Sequence, residues 1–188
     1  FNSLDREVFM PEELKERAYV EKNFALSNHR VILKPEIVAK IAMHVGLKEN
    51  ENVLILGSTT GYLTAVLSLI AETVIVVEED DSYIKSSEIA TKENNLNNVI
   101  YINKSISNGC IEHSPYNAII IEGAVDHVPQ KLLNQLENGG RLIAFLSENG
   151  LCNAKIFIRK ESMYYSEKLF PCSLPVLPSF KEKNIFSF

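Results

Sequence analysis

Short, nearly continuous apolar runs punctuate this chain: Val53–Leu56, Thr73–Val77, Val99–Ile102, Ala118–Ile121 and Arg141–Leu146. Each has the length of a strand, and most are rich in valine and isoleucine, the pattern of strands buried on both faces. Between them, apolar positions recur at helical spacing. Lys34–Val45 sets Ile37, Val38, Ile41, Ala42 and Val45 on one face, with Pro35 in its first turn and Gly46 as its stop. Three further helices are expected over Tyr62–Ala71, Ser82–Asn94 and Pro129–Leu136. Asp81 is the expected cap of the second, with Ile84, Ile89 and Ala90 turned inward. Ahead of them, Pro11-Glu12-Glu13 suits the first turn of a short helix to Tyr19, and Glu21–Val31 has no period and reads as a loop. Glu137–Gly140 reads as a turn. Beyond Leu146 the pattern changes. Lys155–Lys160 and Met163–Phe170 alternate as an antiparallel hairpin. The proline-punctuated end offers Leu174, Val176, Leu177, Phe180, Ile185, Phe186 and Phe188 as anchors.

Strands alternating with helices predict an α/β fold, a doubly wound and mainly parallel sheet with an antiparallel C-terminal hairpin. The expected organisation is one unit over residues 1–188. It has a helical lead (1–46), a core built for a cofactor (47–147), and a hairpin and tail (148–188). The core's centre is Val53–Glu79, which reads strand, glycine-bounded turn, helix, strand, acid pair. Gly57 and Gly61 let the backbone come close to a ligand, and the helix N-terminus adds free N–H groups. Glu78 follows Gly57 by 21 residues, the interval at which a strand-end acid accepts from ribose hydroxyls; Glu79 is the neighbouring option. The Asn103–Ser105 loop and Glu122 belong to the same edge of the sheet. Glu122 suits either a helix cap or a substrate contact.

Composition narrows the function. A net charge of −5 argues against a nucleic-acid binder, which needs a basic patch. No apolar run reaches the roughly 18 residues of a membrane span. Cys110, Cys152 and Cys172 are odd in number and show no CxxC spacing, so free thiols in a reducing cytoplasm are expected and a zinc site is not. His44, His113 and His127 share no ligand spacing, and no metal is expected. The chain opens at Phe1 rather than Met, which leaves an upstream segment, a removed leader included, open. Oligomeric state is not written in these residues.

VLILGSTTGYLTAVLS, VVEED, NNVIYI, SPYNAIIIEGAVDHVP, LLNQLENGGRLIAF and LPVLPSF occur in that order. With them the chain resembles the protein-L-isoaspartate O-methyltransferase family over most of its length. The resemblance implies S-adenosylmethionine as cofactor, and a protein or peptide carrying an isoaspartyl residue as the partner whose carboxylate is methylated, a step of protein repair. It implies cofactor contacts from Gly57, Ser58, Thr59, Gly61, Glu78, Glu79 and Ser105. No catalytic residue is assigned, because in-line methyl transfer runs on proximity and alignment.

Several positions depart from the family's pattern. Its glycine-x-glycine-x-glycine turn has Thr59 at the middle glycine, and Ile55 stands where an acid precedes the turn. Asn103-Lys104-Ser105 replaces Gly-Asp-Gly, Leu33 stands at a serine tied to substrate handling, and PYN ends in Asn117 instead of aspartate. His29 and Arg30, just ahead of Leu33, are either a surface pair or the lining of a groove for a peptide carboxylate. Two other readings therefore stand beside the repair enzyme. One is a non-catalytic binding module that kept the fold and lost the cofactor. The other is a methyltransferase with a changed substrate.

Overall fold

A computed structural model describes residues 4–27 and 29–181; the anchors Ile185, Phe186 and Phe188 lie outside them. The apolar runs form the sheet. Strands β3 (Asn52–Leu56), β4 (Thr73–Glu78), β5 (Val99–Asn103), β6 (Tyr116–Val125) and β7 (Leu136–Glu148) are parallel, and β8 (Leu151–Lys160) and β9 (Met163–Cys172) join antiparallel. Their order across the sheet is β5-β4-β3-β6-β7-β8-β9.

Alternation along each strand divides the core into two layers. Val53 and Ile55 of β3 face a cluster with α1 (Pro35–Val45), α2 (Tyr62–Ser68) and Ala90 of α3 (Asp81–Glu93). Leu54 and Leu56 face the opposite cluster, with Leu132 and Leu133 of α4 (Gln130–Leu133), Leu177 and Phe180. Both faces are covered, which is why these strands read as continuous apolar runs. The chain leaves β3 for β4 on one side and later returns to β6 on the other. The strand order therefore reverses at β3/β6, and Gly57, Glu78, Asn103 and Glu122 are gathered at the strands' carboxyl ends.

Several boundaries differ from the sequence expectation. α2 stops at Ser68, where the Asn98 side chain donates to the carbonyls of Ser68 (2.9 Å) and Ala71 (3.0 Å) and so satisfies the helix end early. α4 is a single turn, because Leu136 already starts β7, paired with Tyr116 of β6. The expected Glu137–Gly140 turn lies inside β7 as an irregularity between the pairs Tyr116–Leu136 and Ala118–Arg141. Glu12–Arg17 is a 3-10 helix with no buried residue, so it has no apolar face on which to propagate as an α-helix. Glu21–Val31 is not all loop: Phe24–Ala25 (β1) and Val31–Ile32 (β2) pair antiparallel, with Phe24 and Ile32 packed in a small cluster around Met10 and Ala18.

α3 is capped by Asp80 and not Asp81: Asp80 Oδ1 accepts from the Ser82 backbone N–H at 2.8 Å. Asp81 instead accepts from the Asn103 side chain. Ile89 is exposed, and Ser87, Ala90 and Thr91 form the buried face. Asp80→Ala is therefore expected to lower stability by about 1 kcal/mol in urea unfolding. Asp81→Ala should lower it by about half that or less, since exposed polar contacts contribute little. A larger loss from Asp81 would show that the cap is assigned to the wrong residue.

Candidate cofactor and substrate site

Gly57 ends β3 at φ +84° and Gly61 opens α2 at φ +86°. Both lie in the left-handed region, where a side chain is strained. A Cβ on Gly61 would also come within 3.1 Å of the Ser87 backbone, so α3 closes directly onto the turn. Thr59, between them, is not in that region, so the middle of the turn does not require glycine. Its side chain is buried, with the hydroxyl 3.5 Å from both the Val31 carbonyl and Glu122 Oε1. Ser58 turns its hydroxyl into α2, 3.1 Å from that of Thr64, and can serve a ligand through its backbone.

Glu78 is buried at the end of β4. Its Oε1 accepts from the backbone N–H groups of Glu79 (2.8 Å) and Asp80 (2.9 Å) and from the Arg30 guanidinium. Its Oε2 is buried without a partner. Burial pushes the carboxyl up from its ordinary value, against the pull of Arg30 and the two backbone N–H groups. Arg30 also donates from Nη1 to the Gly57 carbonyl at 2.8 Å, and its Cζ lies 5.4 Å from the centre of the Tyr83 ring. A Cβ built on Gly57 would meet that Nη1 at 2.8 Å, so the guanidinium lies directly over the turn.

Glu122 sits in the middle of this edge. It does not cap a helix, because β6 runs on to Val125, where the tail pairs with it: Leu177 N–H donates to the Ala124 carbonyl at 2.8 Å. Leu177 fills the space over Gly123, and its methyl lies near Gly57. Glu122 Oε2 is buried and unpartnered. Burial pushes its pKa up to about 8, Glu78 adding to the rise while Arg30, Thr59 and Arg6 oppose it. Arg6, which the sequence pattern did not single out, is fully buried under the turn. It donates to the carbonyls of Ala18 (2.7 Å) and Leu33 (2.6 Å) and stacks on Tyr62, 4.5 Å from the ring centre. Nothing in its polar surroundings, Asp5 and Glu7, signalled that role.

The remaining candidates are placed as follows. Glu79 is exposed and accepts from Ser179. With Asp80, Asp81 and Tyr83 it forms one wall of a cleft of about 490 Å³, whose other wall carries His29 and Arg30. Ser105 faces Ser107 at 3.3 Å, and Lys104 pairs with Glu112. Ile55 and Leu33 are core residues. Asn117 is at the opposite end of β6, accepting from the Asn52 backbone N–H at 2.9 Å, so its departure from the family pattern does not touch the pocket.

In chemical terms the edge offers two left-handed glycines, a buried carboxylate oxygen still without a donor, and a raised carboxyl nearby. That donor set fits a ribose-bearing cofactor held through Glu78 Oε2 and the Gly57–Gly61 backbone. The space over Gly57 is filled by the Arg30 guanidinium, with methyls of Leu177 and Ile106 behind it.

A family model described as Protein-L-isoaspartate(D-aspartate) O-methyltransferase (PCMT) matches residues 1–172. A Protein-L-isoaspartate O-methyltransferase of Helicobacter pylori (strain G27) is 31% identical over 177 residues, covering 93% of this chain and 85% of that protein. One from Aliivibrio salmonicida (strain LFI1238) is 35% identical over 140 residues, 74% of this chain and 67% of that one. Among solved structures, a beta-aspartate methyltransferase from Plasmodium falciparum in complex with S-adenosyl-L-homocysteine superposes with a TM-score of 0.81 at 20% identity. That match covers 95% of this chain and 88% of that one, and at such identity it speaks for the fold.

Proposed function

The chain belongs to the protein-L-isoaspartate(D-aspartate) O-methyltransferase family, and from that premise we propose that it methylates a carboxylate of isoaspartyl residues in proteins or peptides. The observation that carries the reading is Glu78 Oε2, a buried acceptor without a partner at the end of β4, beside the Gly57 turn. S-adenosylmethionine, when bound, supplies a methyl group on a sulfonium. Glu78 accepts hydrogen bonds from the ribose, the Gly57–Gly61 backbone carries the amino-acid part, and Glu79 borders the cleft by which a peptide enters. Leu177 and the N-terminal turns around Arg6 and Phe9 cover the turn and keep water out. No side chain is asked to move a proton, since a carboxylate is already the nucleophile.

One observation favours a second reading, the binding module without a cofactor: Arg30 occupies the space over Gly57 and holds Glu78. Calorimetric titration with S-adenosylhomocysteine separates the two. Binding at micromolar concentration is expected, and absence of heat and of a thermal shift at millimolar ligand would rule out the enzyme. With binding established, an isoaspartyl peptide and methyl-labelled S-adenosylmethionine should yield base-labile label. Binding without such label would point to a changed substrate.

A further inference from the structure

The proposed function leaves Arg30 unexplained. A guanidinium that merely blocks a cofactor site would be a defect, yet this one is built in. Its side chain is buried, stacked on Tyr83, and held by the Gly57 carbonyl and Glu78. Its backbone belongs to the small β1–β2 hairpin and not to the seven-stranded sheet; the Arg30 carbonyl accepts from the N–H groups of Leu26 (2.9 Å) and Ser27 (3.2 Å). It also lines the 490 Å³ cleft, where it faces Glu79, Asp80 and Asp81 and is, among the described residues, the only arginine or lysine in the wall. The cleft therefore repels anions except at Arg30, and Arg30 is already taken by Glu78.

A ligand that lies on Gly57 takes the space that Arg30 Nη1 fills there, and so displaces the guanidinium from the Gly57 carbonyl and from Glu78 Oε1 while its hydroxyls go to the free Oε2. A guanidinium keeps its charge at every accessible pH, and a buried one without an anion is costly. A carboxylate is the anion that matches its planar fork. We propose that Arg30 is a carboxylate-binding residue held in reserve by Glu78. Cofactor binding releases it into the cleft, and a ligand carboxylate becomes its second partner. This rests on the reading of the site given above and adds to it a residue for the substrate's charge and an order of binding, cofactor first. Two carboxylates could arrive there, that of the isoaspartyl substrate and that of the cofactor's own amino-acid part, and the experiment distinguishes them.

Affinities are measured by calorimetry on the full chain and on Arg30→Met. In the first arm, with S-adenosylhomocysteine saturating, an isoaspartyl peptide is compared with the same peptide carrying that carboxyl as a carboxamide. The native chain should prefer the carboxylate about tenfold to hundredfold, and Arg30→Met should bring the ratio close to one. The preference should also fall in the native chain when S-adenosylhomocysteine is left out. In the second arm, S-adenosylhomocysteine is compared with 5′-methylthioadenosine, which lacks the amino-acid part. A ratio that collapses here in Arg30→Met assigns the carboxylate to the cofactor. If neither ratio moves, Arg30 binds no carboxylate and the proposal is overturned, while the methyltransferase reading stands. If S-adenosylhomocysteine does not bind the native chain at all, both fall together. Should Arg30→Met fail to fold, Arg30→Lys keeps the charge opposite Glu78 and loses the fork. It is expected to lower the ratio severalfold, and an unchanged ratio overturns the proposal equally.

Discussion

Glu78→Gln should weaken S-adenosylhomocysteine binding about tenfold to hundredfold, read by calorimetry. A carboxylate accepting from hydroxyls makes charge-assisted hydrogen bonds, of about 1.5–3 kcal/mol each in net terms, and an amide cannot accept with both of its ends. The same substitution should lower stability by about 3–5 kcal/mol, because Arg30 is left buried opposite a neutral group; the amide oxygen keeps the backbone donors of Glu79 and Asp80, and its N–H₂ takes the place of the spare oxygen. Glu79→Gln is the contrast. That side chain is exposed and its contact is to Ser179, so affinity should change less than about threefold and stability by about half a kcal/mol. Spacing put Glu78 first, with Glu79 as the neighbouring option; the structure separates them by burial. If Glu79→Gln proved the damaging change, the ribose would lie in the outer cleft and not against the turn.

That pair shows what the chain's pattern could and could not disclose. The sheet was legible because strands buried on both faces leave an unbroken apolar run, and the glycine turn was legible because Gly57 and Gly61 need a conformation that other residues avoid. Thr59 read as damage to that turn, yet the structure finds it in ordinary backbone with its hydroxyl near Glu122. A backbone angle at one position cannot be read from a missing glycine. The contact of Arg30 with Glu78 spans 48 residues, and no periodicity encodes it. The buried place of Arg6 is equally silent, since an arginine in a polar lead has no pattern to betray that it folds back under Tyr62. The three cysteines are free thiols, as their spacing implied. Cys152 and Cys172 have no motif between them, yet hairpin register sets them opposite each other with sulfurs 3.0 Å apart. Local chemistry is written in the sequence; pairings made by the fold are written in its topology.

Stability should fall as pH rises from about 5 to 8, and Glu122 is the reason. Its folded pKa is about 8, raised first by burial and further by Glu78, against the opposing charges of Arg30 and Arg6 and the Thr59 hydroxyl. An unfolded glutamate titrates near 4.3. Between those values the folded chain holds a proton that the unfolded chain has released. The contribution is complete below about 4.3 and is lost as pH climbs through the folded value, by at most about 1.4 kcal/mol per pH unit. Glu78, whose carboxyl is also raised by burial, acts in the same sense. Carboxyls held low by partners, Glu36 and Glu112 at about 2 and Glu51 and Asp80 below their usual values, act in the opposite sense. Their contribution is lost only as pH falls below the ordinary carboxylate range, outside this window. For a chain of this size a few kcal/mol amounts to a drop in Tm of roughly ten degrees between pH 5 and pH 8. Glu122→Gln, close in shape to the neutral acid, should remove most of that slope while keeping the Tm at pH 5 within a few degrees, checked by thermal unfolding across the range. An equal slope in the variant would place the titration elsewhere. A Tm that stays flat over the same window in the native chain would mean that Glu122 is ionised, and that Arg6, Arg30, Glu78 and Glu122 form a buried network of paired charges in which the spare oxygen of Glu122 faces a cation and not a ligand.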